Sequence, residues 1–354
     1  MKFGFMTQLQ IPRPWTETSE RNAFWNGLDQ GVAAEAAGFE YYWITEQHFF
    51  IEIGHSPAPD MYLAALSQRT TTLRLALGVV LMPIHNPVSI AERVATLDVL
   101  SNGRVEFGTG RGTSGYIAEG MGLDPSESRE VAQEHLDAVL KMFDADYFEG
   151  YQGKHVNLPP RHMVPRHIQR PHPPLWTAAS NLETYEHAAS QGFGVVGVTR
   201  SSIPDVKAAV AKYHATVKAT DSANFIARKP NHKTAVFGIG YCDKDDQVGR
   251  DVGCAAARWY YGDNDAELNP VRFATAGGVE KVKARMSGLS NDDLIDNGMA
   301  IGGDPDTFCR TVENWASTGI DQMIFMIQAG DTTHDQVMRS IDLIGEKVIP
   351  RFQD

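Results

Sequence analysis

Four consecutive residues near the start of the chain, Thr45-Glu46-Gln47-His48, set a carboxylate, a carboxamide and an imidazole directly behind the apolar run Tyr41-Tyr42-Trp43-Ile44. Phe49 and Phe50 follow at once. An imidazole in a dry aromatic setting can donate to, or take a proton from, a reacting group near neutral pH. A histidine taken singly is more often a satisfied structural residue. The strand-end position of His48, beside Glu46 and under Trp43, Phe49 and Phe50, favours a chemical role for it.

A second constellation is FGTGRGTSG at 107–115. It contains a literal G-x-G-x-x-G from Gly110 to Gly115. A dinucleotide fingerprint would need an acidic residue ending the next strand about 20 residues on. The region 128–140 instead has helical periodicity, so that reading fails. The better reading is a glycine loop whose N–H groups, with the Arg111 guanidinium, meet a single phosphate. The alternative is that the glycines only make a turn and Arg111 pairs with an acid.

The third is LWTAASNLETYEHAASQG at 175–192. An apolar run ends at Ala178-Ala179, and Ser180, Asn181, Glu183 and Thr184 sit where a helix begins. A helix N-terminus with small hydroxyl residues accepts anions readily. Ser180 and Glu183 could equally form an ordinary capping box. His162, His167 and His172 recur every five residues, a spacing that suits no helical or strand metal pair, so they read as solvated loop histidines. No metal site is expected.

Composition narrows the setting. A formal charge of −12 and a sequence pI near 5.5 argue against a nucleic-acid surface. Mean hydropathy is −0.29, and no apolar run approaches the ~18 residues of a membrane span. The opening MKFGFMTQLQ does not read as a signal peptide. Cys242, Cys254 and Cys309 are dispersed and form no C-x-x-C, which points to a reducing cytoplasm.

The elements that must position these residues alternate from end to end. Apolar runs at 2–6, 39–45, 73–82, 103–110, 174–179, 194–198, 233–242 and 322–328 are each followed by a helical pattern. Asp60 could cap the helix at 60–70, Pro87 opens the one at 87–101, and Gly38 stops the first. The runs are near-continuous rather than alternating, as parallel strands buried on both faces are. Eight such units in 354 residues predict a single α/β domain, a (β/α)8 TIM barrel. Two long irregular stretches, 146–173 and 261–305, are expected as insertions or lids at the C-terminal face, lining a substrate pocket. In such a barrel chemistry sits at the C-terminal ends of the strands, where Glu46, Gln47 and His48 lie.

The chain resembles the luciferase-like monooxygenase superfamily, the flavin enzymes of bacterial luciferase type. The resemblance is carried by MKFGF, AAGFEYYWITEQHF, LALGVVLMPIHNPVSIAERVATLDVLSNGRVEFGTGRG, RPHPPLWTAASNLETYEHAASQGFG and GGDPDTFCRTVENWASTGIDQMIFMI, which together cover nearly the whole chain. It implies a barrel that takes reduced FMN (FMNH2) from a separate NAD(P)H:flavin reductase. Oxygen then adds to form a C4a-peroxyflavin, which oxidises a small organic substrate. It also implies a homodimer. Arg111, Ala179 and Ser180, with Thr184 nearby, fall where the family holds the flavin phosphate. Gly78-Val79 falls at a third-strand bulge, often a non-proline cis peptide, that supports the isoalloxazine ring.

Two departures stand out. EQHF lies where luciferases read EHHF, so Gln47 replaces the first histidine and His48 matches the second. Glutamine can hydrogen-bond a peroxide or flavin N5 but cannot act as a base at pH 7. Either His48 handles the proton or none is handled there. Gly110 replaces a luciferase cysteine near the flavin, and is expected to leave room for a bulkier substrate. Within the same superfamily the alternatives are an F420-dependent dehydrogenase or reductase, and a non-catalytic flavin-binding protein.

Overall fold

The structure is a computed structural model, and it describes every residue except 113–114, 200, 265–283, 285 and 354. Eight parallel strands close on themselves: β1 (Lys2–Thr7), β2 (Tyr41–Ile44), β3 (Arg74–Leu81), β4 (Val105–Gly110), β5 (Leu175–Ala178), β6 (Gly194–Val198), β7 (Thr234–Cys242) and β8 (Gln322–Met326). Each pairs with its successor, and β8 returns to β1 with Lys2 opposite Gln322 and Phe5 opposite Phe325. This is the (β/α)8 barrel that the sequence predicts.

Strand alternation divides the apolar residues into two cores. Phe5, Tyr42, Leu75, Phe107, Val195 and Phe325 face outward under the helices. Met6, Trp43, Ala76, Trp176, Ala235 and Ile324 fill the barrel, where the Trp43 and Trp176 rings meet edge-on at 5.2 Å. Both faces are therefore dry, which is why the strands read as unbroken apolar runs.

The helix signals hold with small shifts. Helix α1 (Ser19–Ala36) gives way to Gly38 at φ +90. Helix α3 (Pro87–Leu100) starts on Pro87, with the Asn86 side chain accepting from the Val88 N–H. Helix α2 (Pro59–Ser67) is not capped by Asp60: Ala58 is its N-cap, and the Asp60 carboxylate instead accepts from the Arg93 guanidinium, Nε to Oδ2 at 2.6 Å.

The 146–173 stretch lies away from the C-terminal face, contrary to expectation. It joins the end of α5 (Ser128–Asp144) to the start of β5, a connection that belongs to the opposite, N-terminal rim. Two short antiparallel pairings fold it into a hairpin. Glu134 on α5 accepts from the N–H groups of Lys154, His155 and Val156. Asp98 accepts from the N–H groups of Ile168 and Gln169 at 2.7 and 2.8 Å, seating the return under the start of β4.

The insertion at the C-terminal face is instead the chain between β7 and the helix Pro305–Ala316. It begins with α8 (Asp246–Arg258), earlier than the expected 261. It ends in a short strand, Ile301–Gly303, that pairs with Gly240–Cys242 of β7. Three residues, two of them glycine, give that strand too little pattern to be read from sequence. Of the expected lid, 265–283 and 285 lie outside the described residues.

Candidate active site

At the C-terminal mouth β2 ends and the chain turns through Thr45 into Glu46, whose carboxylate is buried. One oxygen, Oε2, accepts from the Leu81 N–H at 2.8 Å at the end of β3. The other, Oε1, meets His48 Nε2 at 2.9 Å and His85 Nε2 at 2.6 Å. Burial alone would raise this carboxyl, but the hydrogen bonds from His48, His85 and the Leu81 amide outweigh it and hold the group below the usual carboxylate range. Glu46 is thus an anionic clamp on two imidazoles.

His85 was not picked out by sequence reasoning. It stands 39 residues beyond Glu46, just after the short 3-10 turn Met82–Ile84 that follows β3, so only the fold brings the two together. The signal available was its place in MPIHNP at the end of a predicted strand. Gln47 stands apart from the cluster. Its amide N–H donates to the Ser56 carbonyl at 3.2 Å and its side chain lies on Gly54, where a Cβ would come within 2.7 Å of Gln47 Cγ.

Of the two phenylalanines expected to cover the cluster, Phe50 is buried and Phe49 is 45% exposed. Phe49 has φ +66, a backbone region that a bulky side chain seldom adopts. Its ring meets Tyr116 edge-on at 6.2 Å, while Phe50 lies 5.8 Å from the same tyrosine. Gly120 permits this approach, because a Cβ there would stand 2.5 Å from the Phe49 ring.

On β3 the register with β4 shifts between Leu77 and Val80, and Gly78–Val79 is a cis peptide. The expected bulge is therefore in the structure. The room expected at Gly110 is not: a Cβ there would lie 2.7 Å from Val79 Cγ2, so the valine methyl already takes that space.

Strands β4 and β5 are neighbours, with Thr109 opposite Thr177. Arg111 and Ala179-Ser180 consequently leave adjacent strand ends. Ala179 is buried and its N–H donates to the Val196 carbonyl at 2.8 Å, whereas Ser180 and Arg111 are exposed. Ser180 does not form the capping box. Asn181 is the N-cap of α6 (Leu182–Gln191), its side chain accepting from the N–H and hydroxyl of Thr184, both at 2.9 Å. The extra residue moves Ser180 out of the cap and leaves its hydroxyl available. Arg111 borders a cavity of about 110 Å³, with Leu81, Gly112, Asp124, Glu127 and Ser128 among the other walls.

Above the mouth, α8 leads into a π-helical turn, Trp259–Asp263. Tyr260 Oη accepts from Gln8 Nε2 at 3.1 Å, and Tyr261 Oη lies 2.9 Å from Thr199 Oγ1. Gln8 follows β1 and Thr199 follows β6, so two tyrosines tie the lid across the barrel mouth. The histidines of 161–172 belong elsewhere. His162 is exposed, but His167 and His172 are buried rather than solvated, bonded to the Pro171 and Pro173 carbonyls. Burial pushes both below the usual histidine value. Among the described residues no cluster of three or more His, Cys, Asp or Glu is arranged to hold a metal ion.

A closed barrel with its polar groups gathered under a lid at the strand C-termini defines an enzyme-like α/β barrel. The chain belongs to the luciferase-like monooxygenase family, whose profile matches residues 1–322. That family is one of oxidoreductases, with flavin-dependent monooxygenases among its members.

An uncharacterised protein of Sinorhizobium fredii is 26% identical over 346 residues, covering 93% of this chain and 91% of that one. The oxygenase component of flavin-dependent trigonelline monooxygenase from Acinetobacter baylyi is 29% identical, over 55% of this chain and 53% of its own length. Among solved structures, monooxygenase RslO1 from Streptomyces bottropensis superposes with a TM-score of 0.81 at 25% identity over the full length of both chains. The F420-dependent tetrahydromethanopterin reductase of Methanopyrus kandleri shares the fold, with a TM-score of 0.71 at 21% identity over 99% of both chains.

Proposed function

We propose that this protein is the oxygenase component of a two-component system. It would use reduced FMN, delivered by an NAD(P)H:flavin reductase, and O2 to oxidise a small organic substrate. The observation that carries this reading is the clamp at the mouth: one buried carboxylate holding His48 and His85 beneath a lid, beside two strand ends that offer a cation and a hydroxyl. Support comes from the trigonelline enzyme's name, which is that of an oxygenase component. The oxygenating constituent of 3,6-diketocamphane monooxygenase from Pseudomonas putida, solved with FMN, has the same fold at a TM-score of 0.79 and 19% identity.

The residues fit the cofactor. Arg111 and Ser180, exposed on adjacent strand ends and joined by Thr184, would hold the phosphate. Gly78-Val79, pressed against Gly110, would support the ring from β3. Gln8 Oε1 and Thr45 Oγ1 are buried without hydrogen-bond partners at the same mouth, as groups awaiting a polar ligand are. When bound, reduced flavin supplies the two electrons that activate oxygen.

The remaining work falls to the chain. Glu46 already accepts from three N–H donors that hold it as the carboxylate, so it positions rather than transfers protons. By binding Nε2 of His48, it fixes that ring and leaves Nδ1 as the atom free to hold or release a proton. Phe50, Tyr116 and the lid tyrosines exclude water, which would otherwise divert activated oxygen to hydrogen peroxide. A homodimer and a cytoplasmic setting complete the proposal. Cys242, Cys254 and Cys309 are all buried free thiols, in keeping with a reducing compartment. Among the described residues no helix is long and apolar enough to cross a membrane.

The test is turnover with a flavin reductase, NADH and FMN under ¹⁸O2 across a panel of small organic compounds. Incorporation of one labelled oxygen per product supports the reading. Hydride transfer to or from F420 with no oxygen uptake would replace it with the dehydrogenase alternative.

A further inference from the structure

A second cavity, of about 210 Å³, opens on the flank of the barrel at its C-terminal rim, between α1 and the segments that follow β1 and β8. Its wall on α1 is Ser19, Asn22, Ala23, Asn26 and Gln30, one helical stripe at i, i+3, i+4, i+7 and i+11. Only Gln30 of this stripe belongs to the buried face of α1, which otherwise consists of Gly27, Gly31 and Ala34. Exposure falls along it from Asn22 at the rim through Asn26 to Gln30, which is 1% exposed.

Three carboxamides form the inner end: Gln10, Gln30 and Gln328. Gln30 Nε2 donates to Gln328 Oε1 at 3.1 Å and lies 3.3 Å from His334 Nδ1, and Gln10 Nε2 meets Met326 Sδ at 2.9 Å. Both donors of Gln30 and one of Gln10 are thereby engaged. Their oxygens are not: Gln10 Oε1 and Gln30 Oε1 are buried without a hydrogen-bond partner. Each such acceptor is costly unless something donates to it. The cavity far exceeds the ~10–15 Å³ of probe-occupied volume that one water needs. None of its walls is Asp, Glu, Lys or Arg, so among the described residues nothing there selects a charged ligand.

We propose that this flank cavity is a binding site for a small neutral molecule carrying at least two N–H or O–H donors, of the primary carboxamide type, held by Gln10 Oε1 and Gln30 Oε1. Asn26 and Asn22 at the rim return hydrogen bonds to its acceptor. No wall of this cavity belongs to the Glu46–His48–His85 cluster or to the Arg111 cavity, so acetamide binding and flavin binding can be read separately. Gln8 turns to the lid while Gln10, two residues on, turns to the flank.

The test is saturation-transfer NMR on the full chain with acetamide as probe, against N,N-dimethylacetamide, which has the same carbonyl and no donor. Acetamide is expected to give the stronger signal. Gln30→Leu, which removes the acceptor together with the donor to Gln328 Oε1, should weaken acetamide binding about five- to tenfold. Gln30→Glu keeps the shape and adds a negative charge, so it should shift preference to acetamidinium. Equal signals from the two amides, or undiminished acetamide binding in a Gln30→Leu protein with a native circular dichroism spectrum, would overturn the proposal.

Discussion

Two buried glutamates sit at opposite ends of this barrel, and their carboxyls are pushed in opposite directions. Glu46, at the C-terminal mouth, is held low because three N–H groups reach it despite burial. Glu106, near the N-terminal end, is raised because burial outweighs the Arg74 charge and the hydrogen bonds from Trp176 and Arg74. Trp176 Nε1 donates to it at 2.5 Å, and Lys233 nearby donates to Tyr41 Oη at 3.2 Å.

The closed end is a stitched plug whose ions pair side chain to side chain. The mouth offers imidazoles, an exposed arginine and unpartnered oxygens instead. Glu106 is the more deeply buried of the two and there burial wins, while at Glu46 the facing donors win. At the mouth, polar capacity for something other than the protein lies beside the imidazoles and the exposed arginine.

The largest effect should fall at the plug. Glu106→Ala takes the carboxylate from Arg74 and Trp176 and should cost about 3–5 kcal/mol in chemical denaturation, with flavin affinity of the folded protein unchanged. Reduced affinity at full stability would erase the distinction between the two ends. At the mouth, His48→Ala should lower coupled product formation about 100-fold while FMN affinity stays put. Unaltered product yield would remove His48 from the chemistry.

Arg111→Ala should weaken FMN binding by about 1.5–3 kcal/mol, measured by flavin fluorescence titration. If affinity is unchanged, the phosphate lies elsewhere. The smallest effect concerns pH. The Glu46 carboxyl is lower in the folded state than in the unfolded chain. Its stabilising contribution is therefore complete above the ordinary carboxylate range and fades as pH falls through the folded value. Glu46→Gln should flatten that acid limb in a denaturation series. A limb of unchanged slope would mean that other carboxylates produce it.

Much of this was legible in the sequence because barrel strands buried on both faces leave unbroken apolar runs. All eight appear where such runs predict them, and the strand ends put Glu46, His48, Arg111 and Ser180 on one face. Contacts across the fold were less legible. Nothing within a few residues of His85 announces that it will meet Glu46, and nothing in FGTGRG shows that a Val79 methyl fills the space at Gly110. The 146–173 stretch was misplaced for a different reason. Its length suggested a lid, yet a helix-to-strand connection must lie at the rim away from the chemistry. His167 and His172 look solvated by composition and are buried because their backbone acceptors, Pro171 and Pro173, lie in the same fold of chain.

The measurement that bears most directly on the mouth as a flavin site is an anaerobic titration of the protein with reduced FMN, oxidised FMN and F420, repeated with Arg111→Ala and with the plug variant Glu106→Gln. The predicted result is tightest binding of reduced FMN, weakened by Arg111→Ala and untouched by Glu106→Gln. Tighter binding of F420, or equal loss in both variants, would contradict it.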